Sequence, residues 1–389
     1  MSFLDHDPYP TINGLMRAMG VEPVLRAGCV TPVLPYARPA KFGISQPEVA
    51  EALERMKDFD DWPSSWEASA MRYEAFAKAC ATQNQRITAK AAYVHTSYLY
   101  HLAQLYARDP EAKARLQGKS VETYRAGGQF FEPPLECVKV KYEEFHIPGY
   151  LRLPAAQSRT PWVLLTDGAD STKEEAHFQA EAFLERGLGV FYFDGPGQGE
   201  LRRETRLVLG DYEKAVSQVI TTLTQIYSLL DPDRIGVYGI STGGYLALRS
   251  AAHDARLKAI ASVGGFYDAR GFFESPVSTQ KSMASMFGIK NASEMARFIK
   301  EKIDLKDVVP TLRRPLLVIH GGRDHLVPDA EIDDLAKAAG DLAQVRVFRQ
   351  GTHALQNVDH VVCPVVADWM ATALIENRQM DLNFLDEQW

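Results

Sequence analysis

The stretch Gly239-Ile240-Ser241-Thr242-Gly243 constrains this chain more than any other. Before it runs Arg234-Ile235-Gly236-Val237-Tyr238, a short strand-like segment. After it runs Gly244-Tyr245-Leu246-Ala247-Leu248-Arg249-Ser250-Ala251-Ala252, small and apolar at helical spacing. Strand, sharp turn and helix form the context in which G-x-S-x-G presents a serine hydroxyl at the top of a sheet. A serine on so tight a turn needs neighbours without a Cβ, so that strand and helix can approach. Glycine is common enough for the pentapeptide to arise by chance, so its surroundings must carry the argument.

Those surroundings are periodic. From about Glu132-Pro133-Pro134 onward, short β-branched or aromatic runs occur at 138–145, 150–153, 162–166, 188–194, 235–239, 259–263, 316–320 and 345–349. Helical patterns separate the later ones. This alternation predicts an α/β fold with a mainly parallel eight-stranded sheet. The sheet is expected to begin with an antiparallel hairpin turning at His146-Ile147-Pro148-Gly149. Residues 266–310 are too many for a simple connection and read as a helical insertion. The first 45 residues carry six prolines, which argues against long helices there. Residues 46–131 turn helical, and Asp109-Pro110-Glu111 is a helix start with a capping acid and a first-turn proline. The expected division is therefore a mainly helical region 1–132 and an α/β domain 133–389.

With 389 residues, 46% hydrophobic and 24% charged, the chain is ordinary globular material. A net charge of −7 argues against nucleic acid or an anionic membrane as partner. The amino terminus lacks the basic start and apolar core of a signal peptide, and no run is long enough to span a bilayer. Cys29, Cys80, Cys137 and Cys363 are scattered, which suits structural thiols in a reducing cytoplasm.

An exposed serine needs a base, and the base an acid, each just past a later strand. Asp324 follows the 316–320 run, and His353 follows the 345–349 run. His353 is expected to take the Ser241 proton, and Asp324 to fix the imidazole's tautomer and stabilise its cation. His320 and His325 compete for the base, and Asp307 and Asp329 for the acid. An oxyanion hole is expected from the Thr242 N–H plus one from Ala169 or Asp170, in the loop after the 162–166 strand. Asp194-Gly195-Pro196-Gly197-Gln198-Gly199-Glu200 has glycines at the wrong offsets for a phosphate cradle and reads as a tight loop under the site. No metal-ligand spacing appears, so neither metal nor cofactor is expected.

Four stretches resemble the 2,6-dihydroxypseudooxynicotine hydrolase branch of the α/β-hydrolases. They are Asp170-Ser171-Thr172-Lys173-Glu174-Glu175, Phe193 to Glu200, Asp211-Tyr212-Glu213-Lys214, and Ser262-Val263-Gly264-Gly265-Phe266. Fungal polyketide-shortening hydrolases and fermentation–respiration switch esterase-like proteins look like more distant relatives. The resemblance covers about residues 85–377. It implies an α/β-hydrolase fold with a helical cap, a homodimer, and hydrolysis of a carbon–carbon bond next to a ketone. Ser241, Asp324 and His353 match the branch's triad, and Glu274 matches best an acid associated with its site. The chain departs from the branch at Ala169, where a larger residue is usual, and in its Tyr-rich stretch 93–106.

The residues leave three classes of activity open. A ketone C–C hydrolase and a carboxylesterase would share the triad; a silent binding protein on the same scaffold is the third. A small-molecule ketone or ester is the expected substrate. Its pocket is expected between the amino-terminal helices and residues 266–310, lined by Tyr93, His95, Tyr98 and Phe272.

Overall fold

A computed structural model of the chain describes residues 3–27, 36–155 and 158–385. Cys29, Pro32 and Pro35 lie outside these residues. The chain divides into two compact units. One comprises His6–Leu135 and Pro276–Ser278; the other comprises Met1–Asp5, Glu136–Ser275 and Thr279–Trp389. The main boundary thus falls at 135/136, three residues beyond the composition change.

The amino-terminal unit is helical: α1 (Tyr9–Met19), α2 (Val21–Arg26), α3 (Ala37–Lys41), α4 (Gln46–Glu54), α5 (Trp62–Thr82), α6 (Arg86–Leu105) and α7 (Pro110–Gly128). Prolines start helices here: α1, α4, α5 and α7 each carry one at the first or second position. Pro10 sits in the first turn of α1, where no backbone donor is needed, so eleven residues form a helix despite the proline-rich surroundings. Asp109 caps α7, accepting from the Ala112 N–H at 2.8 Å. Ser45 and Glu48 close a reciprocal capping box on α4. Helix α6 packs against both α5 and α7, so it is buried on nearly all sides from Ala92 to Leu105.

The second unit is built on one sheet. Its strands are β1 (Glu136–Tyr142), β2 (Phe145–Arg152), β3 (Thr160–Thr166), β4 (Gly189–Phe193), β5 (Leu230–Ile240), β6 (Leu257–Val263), β7 (Leu316–Gly321) and β8 (Ala343–Phe348). Their spatial order is β1-β2-β4-β3-β5-β6-β7-β8. Strand β2 runs antiparallel to β1 and β4, and all other pairs are parallel. Central β3 and β4 are buried along their whole length, which is why they read as unbroken apolar runs.

The opening hairpin does not turn where Pro148-Gly149 suggested. Tyr142 pairs with Phe145, so the turn is Glu143-Glu144, with Glu143 at φ 47°. His146 to Gly149 lie inside β2, opposite Lys141 to Val138. Gly149 is there because a Cβ would collide with the Phe191 ring of neighbouring β4. The constraint comes from across the sheet, not from a local turn.

Helices α8 (His177–Leu184), α9 (Asp211–Ile226), α10 (Thr242–His253), α13 (Asp329–Ala339) and α14 (Asp359–Ile375) follow strands β3, β4, β5, β7 and β8 respectively. Between β6 and β7 lie α11 (Val277–Phe287) and α12 (Ala292–Lys302), which fill the expected helical insertion. Among the described residues, no helix is long and apolar enough to cross a membrane.

Candidate active site

Strand β5 ends at Ile240, and α10 begins at Thr242. Ser241 alone makes the turn, at φ 54° and ψ −124°. That conformation costs on the order of 1–3 kcal/mol for a residue with a Cβ and persists only where its surroundings enforce it. The enforcement is visible. The Ser241 N–H donates to the Val263 carbonyl of β6 at 2.9 Å, while the Ser241 carbonyl accepts from Gly244 N–H at 2.8 Å. A Cβ at Gly239 would strike the Gly243 carbonyl, and one at Gly243 would strike the Thr166 carbonyl of β3. The Thr166 hydroxyl closes this junction by donating to the Gly243 carbonyl at 2.9 Å.

Asp324 lies just beyond β7 with its carboxyl fully buried. One oxygen accepts from the Leu326 and Val327 amides at 2.8 and 3.1 Å. The other meets His353 Nδ1 at 2.8 Å. Burial alone would raise this carboxyl, but the imidazole beside it and the two amides outweigh burial and hold it below the usual carboxylate range. An ionised acceptor requires the proton to sit on His353 Nδ1. The free lone pair of Nε2 then faces Ser241 Oγ, 2.8 Å away. The arrangement can therefore draw a proton from the serine hydroxyl and hold it on the ring.

The loops carrying acid and base are stitched together. Arg323 N–H donates to the Gly351 carbonyl, and Gly322 N–H to the Phe348 carbonyl, both at 2.8 Å. Asn357 accepts from the Thr352 N–H and hydroxyl at 2.8 and 3.0 Å and donates to the Gln350 carbonyl at 2.8 Å. Asn357 escaped sequence reasoning; the only hint was an amide side chain a few residues past a loop histidine.

Thr242 occupies the first position of α10, where amides have no acceptor within the helix. The loop after β3 runs beside it. A Cβ at Gly168 would lie 3.5 Å from the Ser241 Cβ, so the residue brought against the serine is Gly168, with Ala169 and Asp170 next along the loop. Gln198 fixes this loop by donating to the Asp167 carbonyl at 2.7 Å, and Tyr212 donates to Gln198 at 3.2 Å.

The four stretches that carried the resemblance turn out to support this one junction. Lys173 Nζ is buried against Asp194 at 2.8 Å, Glu174 at 3.0 Å and Glu200. Asp194 also accepts from the Lys173 and Glu200 amides at 2.8 and 3.0 Å. Tyr150 donates to Glu174 at 2.8 Å and lays its ring beneath the ammonium. Burial would lower the Lys173 pKa, but its carboxylate neighbours, Asp194 first, hold it well above the usual lysine value. Glu213 caps α9 and pairs with Arg249 of α10. Phe266 stacks on Tyr245 of α10, ring centroids 4.7 Å apart. Ser171 reaches Glu175 at 3.5 Å.

The expected pocket lining is placed differently. Tyr93 is buried in the amino-terminal unit's own core and stacks with Phe130. Tyr98 is fully buried and stacks on Phe42 at 4.5 Å. His95 is held by Glu48 at 2.8 Å against the Tyr73 ring. All three are engaged by residues of the amino-terminal unit itself. Phe272 belongs to the core of the second unit. Glu274 ends a short 3-10 turn with its side chain exposed, and no hydrogen bond joins it to the triad among the described residues. His320 is buried and directed to Asp329 at 3.0 Å, which removes both from competition for the triad. No cluster able to hold a metal occurs among the described residues.

A serine on a strand–turn–helix junction, joined to a histidine and an acid past later strands of this sheet, defines an α/β-hydrolase. Residues 175–374, more than half of the chain, match the prolyl oligopeptidase family, and the chain belongs to it. It is 29% identical over 340 residues to 2,6-dihydropseudooxynicotine hydrolase of Paenarthrobacter nicotinovorans, spanning 87% of this chain and 91% of that one. The crystal structure of 2,6-dihydroxy-pseudo-oxynicotine hydrolase superposes with a TM-score of 0.82 at 28% identity, covering 89% of this chain and 97% of the other. The 20-hydroxy-prefusarin hydrolase of Gibberella moniliformis is 35% identical over 240 residues, 57% of each chain.

Proposed function

We propose that the chain is a serine hydrolase that cleaves a C–C bond next to a ketone through an acyl-enzyme, with Ser241 as nucleophile, His353 as base and Asp324 as its orienting acid. The observation that carries this reading is the unbroken Asp324–His353–Ser241 hydrogen-bond chain, at 2.8 Å for both links, ending on a strained turn. Ser241 Oγ adds to the carbonyl carbon as its proton passes to His353 Nε2. The Thr242 amide and an amide of the Ala169–Asp170 loop receive the oxyanion. Collapse breaks the bond to the α-carbon, and the departing enolate or electron-rich ring carbon takes the proton from His353. Water then adds to the acyl-enzyme, again losing its proton to His353, and the acid leaves as Ser241 recovers its hydrogen.

The similarity to 2,6-dihydropseudooxynicotine hydrolase along nearly the whole chain supports a ketone rather than an ester as substrate. Glu274, whose side chain is exposed, is available to orient or protonate the leaving part. Membership of the prolyl oligopeptidase family supports the second reading, an acyl hydrolase of carboxylic esters with the same triad. A panel of β-diketones and acyl-phenols beside nitrophenyl esters separates the two. Turnover of esters alone would hand the argument to the esterase. Glu274→Gln is expected to cost about tenfold more on ketones than on activated esters; equal losses would remove its role. A fluorophosphonate adduct at Ser241 is expected, and its absence in folded protein would favour a silent binding protein. A cytoplasmic homodimer completes the reading; light scattering at micromolar concentration tests the dimer.

A further inference from the structure

The backbone that leaves β6 touches each part of the candidate triad. The Val263 carbonyl accepts from the Ser241 N–H at 2.9 Å, and Gly264 N–H donates to the Ile319 carbonyl of β7 at 2.8 Å. A Cβ at Gly264 would lie 2.9 Å from the backbone of Ala354, the residue after His353. A Cβ at Gly271 would lie 2.7 Å from the carbonyl of Leu326, whose amide donates to Asp324. Three residues beyond Gly271 comes Glu274.

Between these contacts the segment is held by an acid that the triad does not use. Glu331, in the first turn of α13, is fully buried. Its Oε2 accepts from the consecutive amides of Tyr267, Asp268 and Ala269 at 2.8, 2.9 and 3.0 Å. Successive N–H groups converging in this way form an anion seat, and here the chain fills it with its own carboxyl. Ala269 stands at φ 57°, a left-handed conformation that a residue with a Cβ keeps only where its surroundings impose it. The other oxygen, Oε1, is sealed from solvent and has no hydrogen-bond partner among the described residues. The whole bonding of this carboxyl is thus directed at one stretch of backbone.

From Ala269 onward that backbone is tied without a break to Glu274. Phe272 N–H donates to the Ala269 carbonyl at 3.0 Å, and Glu274 N–H donates to the Gly271 carbonyl at 3.1 Å. Gln280 of α11, also fully buried, brackets Glu274 by donating to the Phe273 and Ser275 carbonyls at 3.2 and 2.8 Å. A shift at residues 267–269 is therefore passed on to Glu274 rather than absorbed on the way. The triad has ties of its own, through the two amides on Asp324 and the three hydrogen bonds of Asn357. Loss of Glu331 should accordingly fall on Glu274 more than on Ser241.

We propose that Glu331 is a positioning residue that locks the segment after β6 to the helix following the Asp324 loop, and so sets where Glu274 stands. This deepens the ketone reading and rests on the role given there to Glu274. The full chain is compared as Glu331→Ala, Glu274→Gln and the double variant, with active sites counted by fluorophosphonate labelling of Ser241. Glu331→Ala should cost about tenfold more in kcat on ketones than on nitrophenyl esters, with KM moving less than kcat. In the double variant the ketone loss should stay within about threefold of the larger single loss, because both changes remove the same contribution. Equal losses on ketones and esters, or losses that multiply, would overturn the proposal, since a general loosening of the fold lowers both activities alike. Deuterium exchange over residues 266–275 gives a readout free of substrate and should rise about tenfold or more in Glu331→Ala. Unchanged exchange would overturn the lock as well. If Glu274→Gln shows no ketone-selective loss, the role of Glu274 fails by itself and exchange alone decides the lock. If the alanine variant does not fold, Glu331→Gln decides: it keeps the shape and one acceptor without the charge, and should show the same pattern at smaller size.

Discussion

Two histidines in this chain face a carboxylate at the same 2.8 Å, His353 with Asp324 and His95 with Glu48. Distance does not distinguish them, and neither does the state of the acid, since both carboxyls are held below their usual values. Burial opposes this in each case and is outweighed, for Glu48 by the Ser45 amide and hydroxyl, Tyr73 and His95, which bring it to about 2. The difference lies on the far side of each ring. His353 Nε2 meets a hydroxyl on a turn that the surrounding backbone forces into a costly conformation. His95 rests against the Tyr73 ring, and its acid already serves as the third residue of a capping box. A histidine–carboxylate pair is therefore a structural unit by default. It becomes a candidate for catalysis when a third group is held at the second nitrogen.

The largest effect should come from removing that third group. Ser241→Ala is expected to lower kcat by about 10⁴ to 10⁶-fold while changing thermal stability by less than about 1 kcal/mol. Turnover and a melting curve on one preparation check both halves, and a variant that still turns over normally would sink the mechanism. Asp324→Asn comes next, at about 10⁴-fold in kcat, because the amide favours the wrong imidazole tautomer. Glu48→Gln, the matching change at the other pair, should leave kcat within about threefold. Comparable losses in the two variants would end the distinction drawn above.

Removing Lys173 tests the scaffold rather than the chemistry. Lys173→Met leaves Asp194 and Glu174 buried without their cation, and should destabilise the protein by about 3–5 kcal/mol in urea unfolding. This cluster also shows where sequence reading runs out. The sheet was legible because buried parallel strands give continuous apolar runs, and the candidate triad could be nominated because the chain order of such a triad follows strand order. The Lys173 cluster was visible only as similarity, since nothing local reveals that residues 173 and 194 meet. Gly149 misled for the same reason, its requirement arising from Phe191 on another strand. Tyr93 and Tyr98 were ambiguous because helical spacing of aromatics is the same whether they face a core or a ligand.

The smallest effects separate the two pairs by pH. Asp324 and Glu48 both have folded pKa values depressed below their unfolded ones. The stability each contributes is thus fully present above the unfolded value, near pH 4, and is lost as pH falls through the folded value. For Glu48 that window runs from its ordinary 4.5 down to about 2. Its neighbours share the load and solvent screens the pair, so Glu48→Gln should cost only about 0.5–1 kcal/mol at neutral pH. The deficit should shrink on acidification through that window, because the unaltered protein loses the same interactions by protonation. Unfolding midpoints at pH 7, 5, 4 and 3 would show it. A deficit constant down to pH 3 would mean that the glutamate acts by shape rather than charge. The pair at His95 would then differ from the pair at His353 in kind as well as in its third partner.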